Sequence, residues 1–231
     1  LIADGFWTAA LARVIAGVGW AGTYMTGLKL LADRVDGRLM SRAVAGHAAS
    51  IGIAGAVSFL FAGTLGAWFG WRSAFAAAAG CAAAAWLIAL LFAPPRERAP
   101  APAGAALFDF RPVLRNRSAM AYALAYCVHT WEMNALRGWA VAFLAFIAAS
   151  LGDANPWIAP TVVATAMGLI GTWASVAGNE LSIRLGRQRL VRFAMAGSIL
   201  CGAVIGFLGS LSYALAAALV LLYGLVIWLD S

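Results

Sequence analysis

Ionisable side chains enter the apolar part of this 231-residue chain at three places. Arg13 lies in the first of seven long apolar stretches, the fourth holds His129, Glu132 and Arg137, and Asp230 ends the seventh. An ionised group deep in a bilayer is costly, so such groups usually face a bundle interior or a wet cavity. His129 and Glu132 share one helix face and could bind and release a proton; a structural ion pair is the alternative. The pattern predicts a polar path lined by helices one, four and seven.

The elements that must position these groups are long apolar segments. The chain is 64% apolar and 11% charged, whereas soluble domains average about 45–50% and 25%. About 20 apolar residues cross a bilayer, and no segment alternates as barrel strands do. We therefore predict an all-α polytopic membrane protein with seven transmembrane helices. Their approximate ranges are 6–32, 44–69, 73–93, 118–150, 157–178, 190–210 and 212–230.

The fourth stretch is too long for one straight crossing. As a single helix it would measure about 49 Å, against a hydrocarbon core of about 30 Å. We expect a break near Asn134–Gly138, because Arg137 and Glu132 lie about 140° apart on a straight helix. Arg137 would then bind an anionic substrate group. Alternatively, its side chain extends to the outer interface beside Trp139.

The other charged positions also have two interpretations each. Arg13 could contact the substrate or pair with Glu132, but we favour a packing and gating role beside Gly17 and Gly19, where helices can approach closely. Asp230 either caps a helix end or enters the cavity.

Four aromatic residues could line the same cavity. Ordinary packing or a place in the interfacial aromatic belt is the favoured alternative for each of them. They are Trp20, Tyr24, Tyr126 and Trp131.

The loops alternate in charge. Loops 33–43, 94–117 and 179–192 hold twelve of the 16 Lys and Arg residues. An excess of basic residues marks the cytoplasmic side, so the prediction is a protein of the cytoplasmic membrane, and the Arg- and Ala-rich composition favours a bacterial source. Because the charge is sorted by loop, we predict no nucleic-acid partner.

Cysteine and histidine spacing predicts no metal site and no cofactor. Cys81, Cys127 and Cys201 lie in separate apolar stretches, and no CxxC pair occurs. No GxSxG, HExxH or phosphate-loop motif indicates an enzyme. A retinal pigment needs a lysine in its last helix, but Lys29 is the single lysine.

The expected partners are a small-molecule substrate, protons and the bilayer, with a monomer favoured.

The loop 94–117 divides the chain. It opens with a proline-rich, basic segment that suits an extended linker, and Phe108–Arg117 mixes aromatic and basic residues that could lie on the inner membrane face. We predict a bundle of three helices in 1–93, a cytoplasmic linker in 94–117 and the start of a second bundle in 118–231.

Three short motifs carry a resemblance to a known family. Arg13–Gly19 has the RxxxGxG spacing found in the fourth helix of major facilitator superfamily transporters. Gly70-Trp71-Arg72, with Phe75 after it, resembles their turn between helices five and six. Arg184–Arg189 resembles the basic loop between helices eight and nine, although Ile183 stands where that motif has an acid.

The resemblance implies a fragment of a twelve-helix fold, from helix four to helix ten. Two bundles would move around a midplane site. In the family's numbering, helices one, four, seven and ten would line that site, and the last three of these correspond to the first, fourth and seventh stretches of this chain. Arg184, Gly186 and Arg187 would form a conformational-switch loop.

The run Tyr126–Trp139 is similar to bacterial permeases grouped with nitrate and cyanate carriers. The expected function is proton-coupled uptake of a small solute, such as an anion; the alternative is a non-transporting sensor or receptor of the same fold.

Overall fold

The computed structural model describes residues 3–35, 39–92, 110–153 and 156–229. The described residues form helices and their connections, with no strand among them. A short 3₁₀ turn, Gly209–Leu211, precedes the last helix. The helices are α1 (Phe6–Ala32), α2 (Leu39–Phe69), α3 (Trp71–Phe92), α4 (Arg111–Arg115), α5 (Arg117–Ser150), α6 (Pro160–Leu185), α7 (Arg187–Leu208) and α8 (Tyr213–Ile227).

The helical fold agrees with the sequence prediction, because each apolar stretch contains a helix. Among the described residues, five helices are long and apolar enough to cross a membrane. α8 is apolar but has 15 residues, and α1 is not one of the five. Seven crossings therefore remain a prediction. The five segments are Gly46–Phe69, Trp71–Phe92, Arg117–Ser150, Pro160–Ser182 and Gln188–Leu208.

The predicted break in the fourth stretch is wrong. α5 runs without interruption for 34 residues, through Asn134 and Gly138. The side chain of Asn134 donates from Nδ2 to the Thr130 carbonyl oxygen at 2.8 Å, within the helix. A glycine inside a helix costs only about 1 kcal/mol relative to alanine. An unpaired backbone group in lipid costs several kcal/mol, so the continuous helix is the more stable choice.

The chain divides into two compact units. One comprises Leu1–Ala76 and Ala140–Ser231, and the other comprises Ala77–Trp139. The limits between them fall inside α3 and α5. The bundles predicted for 1–93 and 118–231 remain a prediction.

Within the first unit, α2 and α6 are antiparallel and meet along small residues, which we call the α2–α6 seam. Gly52 lies against Thr172, Ala56 against Gly168, and Gly63 against Thr161. A methyl group added at Gly168 would lie 2.6 Å from Ala56 Cβ and 3.0 Å from its Cα. In each of the three pairs the two residue numbers have the same sum, so the register of the antiparallel helices is constant along the seam. Small residues allow helices to approach this closely in membranes.

α8 packs between α6 and α7 in the same unit. Gly171 lies against the indole of Trp228, and Gly197 lies against Val226 of α8. At the start of α8, the buried Tyr213 hydroxyl donates to the Ile158 carbonyl oxygen at 2.7 Å. This bond ties the first residue of α8 to the segment that leads into α6.

The predicted short turn between the second and third stretches is a single residue. Gly70 has φ +81°, in the region that favours glycine, and joins α2 directly to α3. The Ser73 hydroxyl donates back to the Leu65 carbonyl oxygen at 3.0 Å. The guanidinium of Arg72 lies 5.0 Å from the centre of the Trp71 ring.

Candidate functional site

Three of the predicted site residues share the less exposed side of α5. His129, Glu132 and Arg137 are all half-buried, as are Met133 and Leu136 between them. At 100° per residue these five positions fall within an arc of about 140°. We call His129, Glu132 and Arg137 the polar face of α5. The helix continues without a break, so Arg137 and Glu132 lie at opposite edges of this arc.

The same side of α5 is buried further along the helix. Ala140, Leu144 and Ile147 are each no more than 4% exposed. Trp131, Trp139 and Phe146 are between 67% and 76% exposed, and Trp139 lies only about 20° round the helix from Glu132. His129 and Arg137 thus lie on the side that is buried further along α5, whereas Glu132 lies at the edge of that side.

The aromatic residues proposed to line a cavity lie elsewhere. Trp131 is 76% exposed and lies about 100° round α5 from Glu132, and Tyr126 and Trp20 are also exposed. These positions suit a surface in contact with lipid or with another segment. For Tyr24 the structure describes the helix backbone, and its side chain lies outside the described atoms. Cavity lining by these residues remains a prediction.

Arg13 is exposed on α1. At the neighbouring glycines, Gly17 and Gly19, a Cβ would meet nothing within 4 Å among the described residues. The close helix approach that we expected beside Arg13 is thus not made by the described part of the chain. Arg13 belongs to the first unit, whereas His129, Glu132 and Arg137 belong to the second. Their convergence on one cleft remains a prediction, and Asp230 lies outside the described residues.

The predicted switch loop forms the junction between α6 and α7. Gly186 has φ +84° and separates the two helices, and its N–H donates to the Ser182 carbonyl oxygen at 3.0 Å. Arg184 pairs with Glu180, one turn earlier on the same helix, at 3.2 Å. The side chain of Arg187 lies outside the described atoms. Ile183 stands where the motif has an acid, but Arg184 still has an acidic partner, Glu180, within its own helix.

Sequence reasoning missed His47. Its imidazole lies in the contact between α1 and α2, where Cε1 is 3.4 Å from the position of a Cβ at Gly27. The Nε2 atom is fully buried. The signal in the sequence is a titratable side chain in an apolar stretch that otherwise carries no charge. Within the described residues, no cluster of metal ligands forms around either histidine.

Comparison with known proteins assigns the chain to a family. The family model described as Major Facilitator Superfamily matches residues 1–229, nearly the whole chain. No curated protein and no solved structure matches it.

Proposed function

Because the chain belongs to the major facilitator superfamily, whose members carry small solutes across membranes, we propose that it takes up a small anionic solute together with protons. Transport proceeds by alternating access in the cytoplasmic membrane of a bacterium. The family consists of transporters rather than enzymes, and the five apolar helices make this a multi-pass membrane protein. The solute class and the coupling to protons are the parts that go beyond the family.

The polar face of α5 is the observation that carries this proposal. Carboxyl and imidazole side chains are the groups that most often transfer protons in proteins. His129 lies one turn from Glu132 on the same helix. Such a pair can take up a proton in one conformation and release it in another. That is the property a proton-coupled carrier needs.

Arg137 supports an anionic solute. Its guanidinium stays charged at any physiological pH and can bind a carboxylate or an oxyanion through two parallel hydrogen bonds. On the unbroken helix it lies about 80° round from His129 and about 140° round from Glu132. The middle of α5 thus holds a fixed positive charge within two turns of a group that can gain or lose a proton. This arrangement suits the joint movement of an anion and a proton.

Uptake by the full-length protein in lipid vesicles tests the coupling. The solute is first identified by a thermal-shift screen of small carboxylates and inorganic anions. A gradient of one pH unit stores about 1.4 kcal/mol per proton, which corresponds to about tenfold accumulation of solute. Glu132→Gln should abolish this accumulation and still exchange labelled for unlabelled solute, because exchange needs no net proton movement. His129→Ala should weaken the accumulation.

The matched control is Asp4→Asn. It also removes one carboxylate, but from an exposed residue just before the start of α1. We expect accumulation in this variant to equal that of the unaltered protein. Normal gradient-driven uptake by Glu132→Gln would refute the proton-coupling role. Solute binding without uptake by the unaltered protein would instead indicate a receptor.

Arg137→Lys and Arg137→Gln test the anion site. A hydrogen bond to a charged group contributes about 1.5–3 kcal/mol, so loss of the guanidinium should raise the Kd for the solute about tenfold to a hundredfold. Lysine should restore only part of the affinity, because it lacks the planar fork. Binding is measured by calorimetry in detergent micelles. Equal affinity in all three proteins would place Arg137 at the interface and not at the solute.

A further inference from the structure

The segment Phe110–Arg117 combines an apolar surface with a basic one in a single helical turn and its flanks. Phe110, Val113 and Leu114 are between 50% and 62% exposed. Arg111, Arg115 and Arg117 are also exposed. An amphipathic helix with basic residues beside an apolar face lies in the membrane interface and is attracted to anionic lipids.

The two surfaces of α4 are adjacent but distinct. On a helix, Phe110, Val113 and Leu114 fall within an arc of about 100°. Arg111 and Arg115 are four residues apart, so they project from one side, next to that apolar arc. Asp109 precedes the segment and lies outside the described residues, and the three arginines still leave the local charge positive. The charge suits an anionic surface and the apolar arc suits acyl chains.

The junction with α5 fixes the position of α4. The Asn116 side-chain oxygen accepts hydrogen bonds from the backbone N–H groups of Ser118 and Ala119, both at 3.1 Å. The Asn116 N–H donates to the Val113 carbonyl oxygen at 3.1 Å. One residue thus ends α4 and begins a helix that can span the membrane. α4 therefore lies within about one helical turn, or 5 Å, of the start of that helix.

That distance places α4 at headgroup depth. The headgroup layers add about 5–8 Å on each side of the hydrocarbon core. A five-residue helix fixed at the mouth of a spanning helix cannot move far from this layer. Its basic side chains are then at the level of lipid phosphates, and its apolar side chains are at the level of the first acyl carbons.

We propose that Phe110–Arg117 is a binding site for anionic phospholipid headgroups, which anchors the start of α5 to one leaflet. This role concerns the lipid and not the transported solute, so it is independent of the proposed function. The arginine guanidiniums bind the headgroup phosphate, and Phe110, Val113 and Leu114 insert beside it. Because the arginine-rich loops mark the cytoplasmic side, the site recognises the inner leaflet.

Photo-crosslinking tests the site directly. The full-length protein in uncharged detergent is mixed with photoactivatable phosphatidylglycerol or phosphatidylcholine, and the labelled peptides are mapped by mass spectrometry. We expect label from phosphatidylglycerol on 110–117 and little from phosphatidylcholine. Each basic residue near an anionic surface contributes roughly a fivefold gain in binding, so Arg111→Gln/Arg115→Gln should lower the apparent affinity by about 25-fold.

Three comparisons make the result decisive. Arg111→Lys/Arg115→Lys should keep most of the affinity, because a headgroup phosphate also binds lysine. Arg189→Gln/Arg192→Gln removes two exposed arginines from the start of α7, on the same predicted side, and should change labelling at 110–117 little. Unaltered labelling in Arg111→Gln/Arg115→Gln would overturn the proposal, as would equal labelling by the two lipids. Displacement of the lipid by millimolar inorganic phosphate would indicate a free-phosphate site instead.

Discussion

The α2–α6 seam and the polar face of α5 use long apolar helices in different ways. In the seam, glycine and alanine let two backbones approach so closely that a single added methyl group has no room, as Gly168 and Ala56 show. On α5, bulky charged side chains are retained at half-buried positions. Close packing adds dispersion contacts and stability, whereas a half-buried charge costs free energy. We therefore expect the seam to contribute more to stability than the polar face of α5, which remains the proposed site of function.

The seam should give the largest loss of stability. Gly168→Ala places a methyl group 2.6 Å from Ala56 Cβ and against its backbone. Overpacking of this kind costs about 1–3 kcal/mol, so the Tm in detergent should fall by several degrees. Gly66→Ala is the control, because a Cβ there meets nothing within 4 Å among the described residues. It should leave the Tm unchanged or slightly higher. Equal Tm values for the two variants would contradict the assigned role of the seam.

A smaller effect is expected where a single hydrogen bond joins two segments. Tyr213→Phe removes the hydroxyl that donates to the Ile158 carbonyl oxygen at 2.7 Å. The loss should be about 0.5–1.5 kcal/mol, because the ring stays buried and only one bond is lost. Thermal unfolding measures it, with the exposed Tyr122→Phe as control. If the two tyrosine variants unfold at the same temperature, the bond contributes nothing to the start of α8.

The smallest change in stability should come from the polar face of α5. Glu132→Gln keeps the size of the side chain and makes no cavity, and substitutions of this kind usually change stability by about 0.5 kcal/mol or less. The free energy of unfolding should therefore change by less than in Tyr213→Phe, although gradient-driven uptake is lost. A large fall in Tm would show that Glu132 has a structural role, and the contrast between the two regions would disappear.

Much of the fold could be predicted because a bilayer restricts the choices. A long apolar segment in lipid must satisfy its backbone internally, so the stretches predicted the helices and their approximate ends. The family could be predicted from the motifs at Arg13–Gly19 and Gly70-Trp71-Arg72, and the second of these motifs contains a turn at Gly70. The one-residue connection at Gly70 follows directly from its positive φ.

The packing partners could not be predicted. Gly52 and Gly63 are visible in the sequence, but nothing local shows that Thr172 and Thr161 lie against them. Pairing of residues that are 98 and 120 positions apart depends on the whole arrangement of helices. The continuity of α5 could not be predicted either. Its length exceeds the thickness of the hydrocarbon core, which suggested a break, but a helix can also extend through the headgroup layers.

The unbroken α5 also determines where its charges lie in the membrane. At 34 residues it is about 51 Å long. Membrane helices tilt by up to about 40°, and at that tilt this rod reaches about 39 Å, close to the 40–45 Å between the outer edges of the two headgroup layers. Glu132 is the sixteenth of the 34 residues. Rotation of a rod about its centre leaves the centre in place, so an α5 that is centred in the bilayer would hold this carboxyl near the middle at any inclination, equally distant from the water on either side.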